Sequence, residues 1–388
     1  MVILDYPYIS DDMCATLAER RIPVLRNPAA EACAERHVLN LVDDQTFVAR
    51  LKDGSRLYLN SENALSWVLR HDSNPERVRG IGLMKDKHAL RQALRPMYPE
   101  YHFAQYTFEE LRRVDPAELR FPLVLKPSVG FFSVGVFVVN DAAGWAEACR
   151  TLGDKLPEWR AAYPDGVLGD VHFSVEEYIH GDEYAIDAYY DGQGKAVILN
   201  VMKHEFADAS DVRDRLYCLY PGLMARWTAR FAEYLDRVGE FLNLRDFPFH
   251  VEVRVAGEVE DGVIVPIEFN PLRFAGCCTT DLARHAFGIR TWLDFLDDRR
   301  PDWNAIAANG RDDIYSLIML DKPDVPLDGM RFDYQALRGR LTEVLDERSF
   351  GSEMSAFGYI FARTPGCRWE ELDAILRSDL TEFLCPTS

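Results

Sequence analysis

The first residues alternate apolar and polar stretches in a strand–helix–strand order. "VILDYP" reads as a short strand, "SDDMCATLAERR" as a helix with Ser10 as its N-cap, and "IPVL" as a second strand. This predicts the β-α-β opening of a small α/β domain. A helix is expected from Lys85 to Arg95, then a strand and helix in "YHFAQYTFEELRRV". Strands flank a Gly/Ser loop in "FPLVLKPSVGFFSVGVFVVN", and a helix follows near "AAGWAEACRTLG". "FSVEEYI" and "EYAIDAYY" read as strands, and "YAIDAYYDGQGKAVILNVM" as a hairpin about a Gly-rich turn. Trp227, Phe231, Tyr234, Leu235, Val238, Phe241 and Leu242 recur at helical spacing, which predicts a long amphipathic helix with these residues as its core stripe. Two more strands, "FHVEVRVA" and "GVIVPIEFN", come next. Beyond about residue 300, "IYSLIML" and "FGYIFAR" stand among Pro-containing linkers and helices, the pattern of a small α+β piece.

Composition narrows the class. The chain of 388 residues is long enough for two or three domains, with 48% hydrophobic and 28% charged residues. A net charge of −19 argues against nucleic acid or an anionic membrane as a partner. The eight cysteines form no C-x-x-C pair, which suggests reduced thiols in a cytoplasmic protein. No basic, apolar leader opens the chain and no apolar run reaches the ~18 residues that span a bilayer.

Two stretches carry candidate chemistry. Lys126 ends the apolar run "FPLVL", and Pro127 to Gly135 then form a loop with Ser128, Gly130, Ser133 and Gly135. A lysine beside flexible backbone donors can clamp phosphate, although many Gly/Ser loops are plain turns. The lysine precedes the loop, so the spacing is not that of a Walker motif, and "GIGLMK" lacks the full dinucleotide fingerprint. The second stretch is "HVEVRVAGEVEDGVIVPIEFN". Alternation puts His250, Glu252 and Arg254 on one face, and Glu268 and Asn270 on one face of the next strand. A turn about Glu260 sets Glu252 opposite Glu268 and His250 opposite Asn270. Facing carboxylates destabilise a sheet unless a cation reverses the sign. Glu252, Glu268 and the Asn270 amide are a hard-oxygen set suited to Mg²⁺; the alternative is pairing with Arg254 or another base.

The Lys-then-Gly loop, "VEEYIHGDEY" and "HVEVRV…IEFNPLR", in this order, resemble the ATP-grasp superfamily, most of all its carboxylate–amine ligases acting on amino acids and peptides. The resemblance spans about Lys85 to Gly276. It implies an α/β (α+β) ATP-grasp fold: an N-terminal Rossmann-like pre-ATP-grasp domain over 1–84, an ATP-grasp domain over 85–299 with a lid at about 120–180, and a C-terminal α+β subdomain over 300–388. By position, Lys87 and Lys126 would bind phosphate under a cover running from Ser128 through Gly130 and Ser133 to Gly135. Glu176, Glu177, Tyr178 and Ile179 would form the adenine hinge, and Glu183 would take the ribose. Glu252, Glu268 and Asn270 would bind two Mg²⁺ ions, with Mn²⁺ able to substitute. Arg273, with Lys126 and Lys203 as further catalytic candidates, would serve the transferring phosphoryl group. Leu272 adds a residue before Arg273 relative to Glu-x-Asn-x-Arg, which opens a second role on a substrate carboxylate. His204 is an alternative to Lys203, and Arg213 or Arg215 could hold a substrate carboxylate.

The activity so implied is ATP-dependent amide formation between a carboxylate, expected to be an amino acid, and an amine, through an acyl phosphate, with ADP and Pi released. Small-molecule substrates are the expected partners, with a homodimer allowed. A carboxylase or kinase of a small acid, and a catalytically silent ATP-binding module, are the competing readings; retention of Lys126 and the acidic set argues against the latter.

Overall fold

The computed structural model describes residues 1–128, 135–162, 172–208, 211, 213–257, 262–309, 312–352 and 354–387. Among these residues the strands assemble into four sheets. The first holds β1 (Val2–Ile3), β2 (Pro23–Leu25), β3 (Asn40–Val42) and β4 (Tyr58–Leu59) in the order β3-β2-β1-β4. Its strands are parallel, which requires crossovers. The helix Asp11–Glu19 supplies one; Ser10 caps it by accepting from the Met13 N–H at 3.2 Å.

The second sheet, in the order β5-β8-β6-β7, contains β5 (Phe103–Thr107), β6 (Leu123–Pro127), β7 (Phe137–Val139) and β8 (His172–Glu177). One face is apolar: Leu123, Leu125, Val139, Phe173 and Val175 pack on Trp145, Ala148 and Leu152 of the helix Ala142–Ala162. Strand alternation turns Val124, Lys126, Val138 and Glu176 to the opposite face.

The central sheet is antiparallel and begins in the order β13-β12-β9-β10-β11. Its first five strands are β9 (Asp182–Tyr190), β10 (Ala196–Glu205), β11 (Leu216–Leu219), β12 (Phe247–Ala256) and β13 (Val263–Pro271). The helix Pro221–Leu242 covers one face of these strands with Trp227, Phe231, Tyr234, Leu235, Val238 and Leu242, all buried. Phe241, expected in that stripe, is 38% exposed and instead lines a surface groove with Tyr98 and Ile264 at the end of the helix.

The segment beyond residue 300 is joined to this sheet. Strands β14 (Asp313–Asp321), β16 (Glu343–Ser349) and β17 (Ala356–Pro365) continue it, because β14 pairs with β11 in the register Leu216↔Ile318 to Leu219↔Tyr315. Strands β15 (Met330–Phe332) and β18 (Leu384–Pro386) form the fourth, two-stranded sheet. No helix among the described residues is long and apolar enough to cross a membrane.

Candidate active site

A cleft of about 1030 Å³, counting its open mouth, lies between the polar face of the second sheet and the face of the central sheet away from the long helix. Pairing registers set its floor in three rungs. His204, Glu183 and Arg254 form the first, on β10, β9 and β12. Ala185, Glu252 and Glu268 form the second, on β9, β12 and β13. Asn200, Asp187, His250 and Asn270 form the third. The two pairings expected from a turn about Glu260, Glu252↔Glu268 and His250↔Asn270, are both present.

Just past Glu268 the register slips: Val253 pairs with Pro266, so Ile267 is the extra residue of a β-bulge. The bulge lets Ile267 and Glu268 both line the cleft, which simple alternation forbids. Pro266, with no N–H to donate, is tolerated there because β13 is an edge strand.

The roof carries a tight charge network. Lys126 Nζ lies 3.1 Å from Glu176 Oε2, and Arg91 donates to the same oxygen from Nε at 3.1 Å and Nη2 at 2.7 Å. Ser174 Oγ donates to Glu176 Oε1 at 2.9 Å, and Tyr101 Oη to Oε2 at 3.2 Å. Burial disfavours the Glu176 carboxylate, but Arg91 and Lys126 outweigh it and hold its pKa well below the usual range. Burial lowers Lys126, with Glu176 opposing. Arg91 had no part in the sequence reading; its signal was the i,i+4 spacing from Lys87 on one helix.

Lys87 opens the helix Lys87–Ala93 behind the N-cap Asp86 and reaches Glu268 Oε1 at 3.0 Å. Its N–H donates to the Ser128 carbonyl at 3.3 Å, while Ser128 Oγ accepts from Gln105 at 3.0 Å. Gly135 closes the loop at φ 79°; Gly130 and Ser133 lie outside the described residues. Glu177, Tyr178 and Ile179 line the cleft, and Val124, Val136, Val138, Phe206 and Ile267 give it apolar walls. Glu183 is held from both sides, by His204 Nδ1 and Arg254 Nε, each at 2.9 Å. Arg254 also donates to the Ile179 carbonyl at 3.0 Å and lies 5.0 Å from the Tyr178 ring centroid, so it fixes the segment that follows β8.

Glu252 and Glu268 are each about a quarter exposed to the cleft, and Asn270 is buried a rung behind. Among the described residues no group of three or more His, Cys, Asp or Glu side chains is placed to hold an ion. Two facing carboxylates with one amide oxygen nonetheless fit Mg²⁺, which is commonly held by one or two carboxylates while water and phosphate fill the other positions. His250 faces the pair from below: burial disfavours its cation, but Asp187 and Glu252 prevail and push its pKa up to about 9.

Several candidates stand elsewhere. Lys203 follows the alternation of β10 to the face opposite His204, where Glu205 at 3.3 Å and Asp182 at 3.5 Å hold its ammonium; it is not brought to the cleft. Arg213 folds back on Asp211 at 2.9 Å, and Arg215 is buried against Asp321 and the Ser378 carbonyl. Asp214 between them does line the cleft, hydrogen-bonded by Tyr217 Oη at 2.8 Å. Although exposed to cleft solvent, its carboxyl is pushed up to about 6, first by surrounding protein and then by Glu252. Arg273 reaches Glu62 Oε2 at 3.2 Å, and Glu62 also pairs with Lys85. The extra residue Leu272 is absorbed in a left-handed turn at φ 59°, with its N–H on the Pro248 carbonyl.

Residues 119–281 match the family model of the ATP-grasp domain. The chain carries an ATP-grasp domain on an ATP-grasp fold. Among solved structures, L-amino acid ligase from Bacillus licheniformis superposes with a TM-score of 0.64 at 16% identity, over 100% of this chain and 98% of that one. N5-carboxyaminoimidazole synthase from Aspergillus clavatus, in complex with ADP and 5-aminoimidazole ribonucleotide, gives 0.62 at 14% identity over 98% of each chain. Biotin carboxylase from Campylobacter jejuni gives 0.58 at 12% identity, over 94% of this chain and 87% of that one. No curated protein matches the sequence.

Proposed function

We propose that the protein is an ATP-dependent carboxylate–amine ligase. The observation that carries this reading is the cleft itself: Glu252 and Glu268 face each other on its floor, and the lysines Lys87 and Lys126 stand over them. Transfer of a phosphoryl group asks the protein for charge neutralisation and positioning more than for covalent help. ATP enters with adenine against Val124, Val138, Tyr178 and Ile179, and with its ribose toward Glu183. Lys126 and Lys87 meet the phosphates. Glu252, Glu268 and Asn270 would hold two Mg²⁺ ions, which would supply the remaining neutralisation of phosphate charge.

A carboxylate oxygen of the first substrate attacks the γ-phosphorus, ADP leaves, and an acyl phosphate remains. The neutral amine of the second substrate adds to the acyl carbon. The carbon–oxygen bond to phosphate breaks, the nitrogen loses its proton, and an amide and Pi result. Arg273, held by Glu62 and outside the cleft lining, is given no step in this reaction. The structural similarity to L-amino acid ligase supports an amino acid as the carboxylate, and eight free cysteines support a cytoplasmic setting.

The test is ADP release from purified protein offered amino acids singly and in pairs, with products weighed by mass spectrometry. The ligase reading expects ADP and a condensed product when carboxylate and amine are both present. ADP release that needs only bicarbonate and an amine would replace it with a carboxylase.

A further inference from the structure

Behind the acidic pair lies a polar group that the reaction does not touch. Asp187 is fully buried on β9, and both its oxygens are occupied. Oδ1 accepts from His250 Nδ1 at 2.8 Å and from the Ala275 N–H at 2.8 Å. Oδ2 accepts from Thr280 Oγ1 at 2.7 Å and from Asn200 Nδ2 at 3.3 Å. The other ring nitrogen of His250, Nε2, faces Glu252 Oε1 at 3.6 Å.

The register explains this line of groups. Asp187 and His250 share the third rung, and Glu252 stands on the second, two residues along the same strand face. The imidazole therefore bridges one rung to the next. Ala275 is two residues beyond Arg273, so the same carboxylate anchors the turn that carries the arginine. An ionised carboxylate and an imidazole buried together cost desolvation that an apolar pair would avoid. Groups that hydrogen-bond metal-binding side chains are a known reason to keep such a pair, because they fix the orientation of the ligand.

We propose that Asp187 and His250 are positioning residues: through the imidazole they hold the Glu252 carboxylate opposite Glu268, and through the Ala275 N–H they lock the Arg273 turn to the same point. This rests on the reading of Glu252 and Glu268 as metal ligands.

The test measures Mn²⁺ affinity by the electron paramagnetic resonance of the free ion, with a non-hydrolysable ATP analogue present, well below the thermal midpoint of each variant. No turnover is needed. His250→Gln, which keeps a side-chain N–H for Asp187, is expected to weaken Mn²⁺ about 10-fold or more, and Asp187→Asn to act in the same direction. In a Glu252→Gln background, His250→Gln is expected to add less than about 2-fold, since its effect runs through Glu252. Wild-type affinity in His250→Gln, together with weakened affinity in Glu268→Gln, would overturn the positioning role and leave the acidic pair standing. Wild-type affinity in Glu252→Gln and Glu268→Gln would remove the acidic pair and this proposal with it. Should Asp187→Asn fail to fold, the His250 and Glu252 variants complete the comparison.

Discussion

Replacing Glu176 by glutamine keeps the shape of the roof and removes its one central negative charge. Arg91 at 2.7 Å and Lys126 at 3.1 Å both depend on that charge, and all three side chains are buried. At an effective dielectric of about 20, each contact is worth about 5–6 kcal/mol of Coulomb attraction. Desolvation of the three ions offsets most of that in the wild type, so the network itself adds little net stability. Removing one partner is different, because two cations stay buried and unpaired. The expected loss is about 3–5 kcal/mol. Urea unfolding, followed by intrinsic fluorescence, reads it directly. A second variant sharpens the reasoning: adding Arg91→Met to Glu176→Gln removes one stranded cation and should recover about 1–2 kcal/mol. A loss under about 1 kcal/mol for Glu176→Gln alone would refute the account, since it would mean water already reaches these charges.

Four further outcomes are expected. Glu268→Gln should cut ADP production at least about 100-fold with the circular dichroism spectrum unchanged, because one oxygen ligand is lost and Lys87 is left without its partner. Arg254→Lys cannot bridge Glu183 and the Ile179 carbonyl with one planar group, so calorimetry should find ADP binding about 10-fold weaker. Asp214 carries a raised pKa of about 6. As pH falls from 7 to 5 it takes up a proton and the cleft loses a negative charge, so metal-free ADP should bind about 2- to 5-fold better relative to Asp214→Asn; a flat ratio counts against the shift. Lys203→Ala should leave turnover within about 2-fold, since the side chain faces away from the cleft.

Local periodicity revealed much of this molecule. The alternation in "HVEVRV" and "VPIEFN" anticipated Glu252 opposite Glu268, and the two do pair, but the ladder nearer the turn, Val253↔Pro266 to Ala256↔Val263, runs one residue out of that register and the bulge at Ile267 restores it. The stripe of the long helix was equally plain, apart from Phe241 at its frayed edge. What stayed hidden depends on partners distant in sequence. Arg91 meets Glu176 across 85 residues, and Arg273 meets Glu62 across 211. The pairing of β11 with β14 joins strands on either side of the long helix and the acidic hairpin, so no local pattern shows that the last part of the chain extends the central sheet. The bulge at Ile267 was hidden for a different reason: a period-2 reading assumes an unbroken ladder, and one inserted residue restarts the count.

The joining of β14 to β11 has a practical consequence for anyone dissecting the chain. A fragment cut at residue 300 would shed β14, β17 and β16 at once and leave the Leu216–Leu219 backbone without the neighbour that now satisfies it. Bare peptide groups beside Leu216, Cys218 and the rest of that stripped apolar face would recruit other chains. The shortened protein is therefore expected to precipitate, however complete its cleft looks on paper.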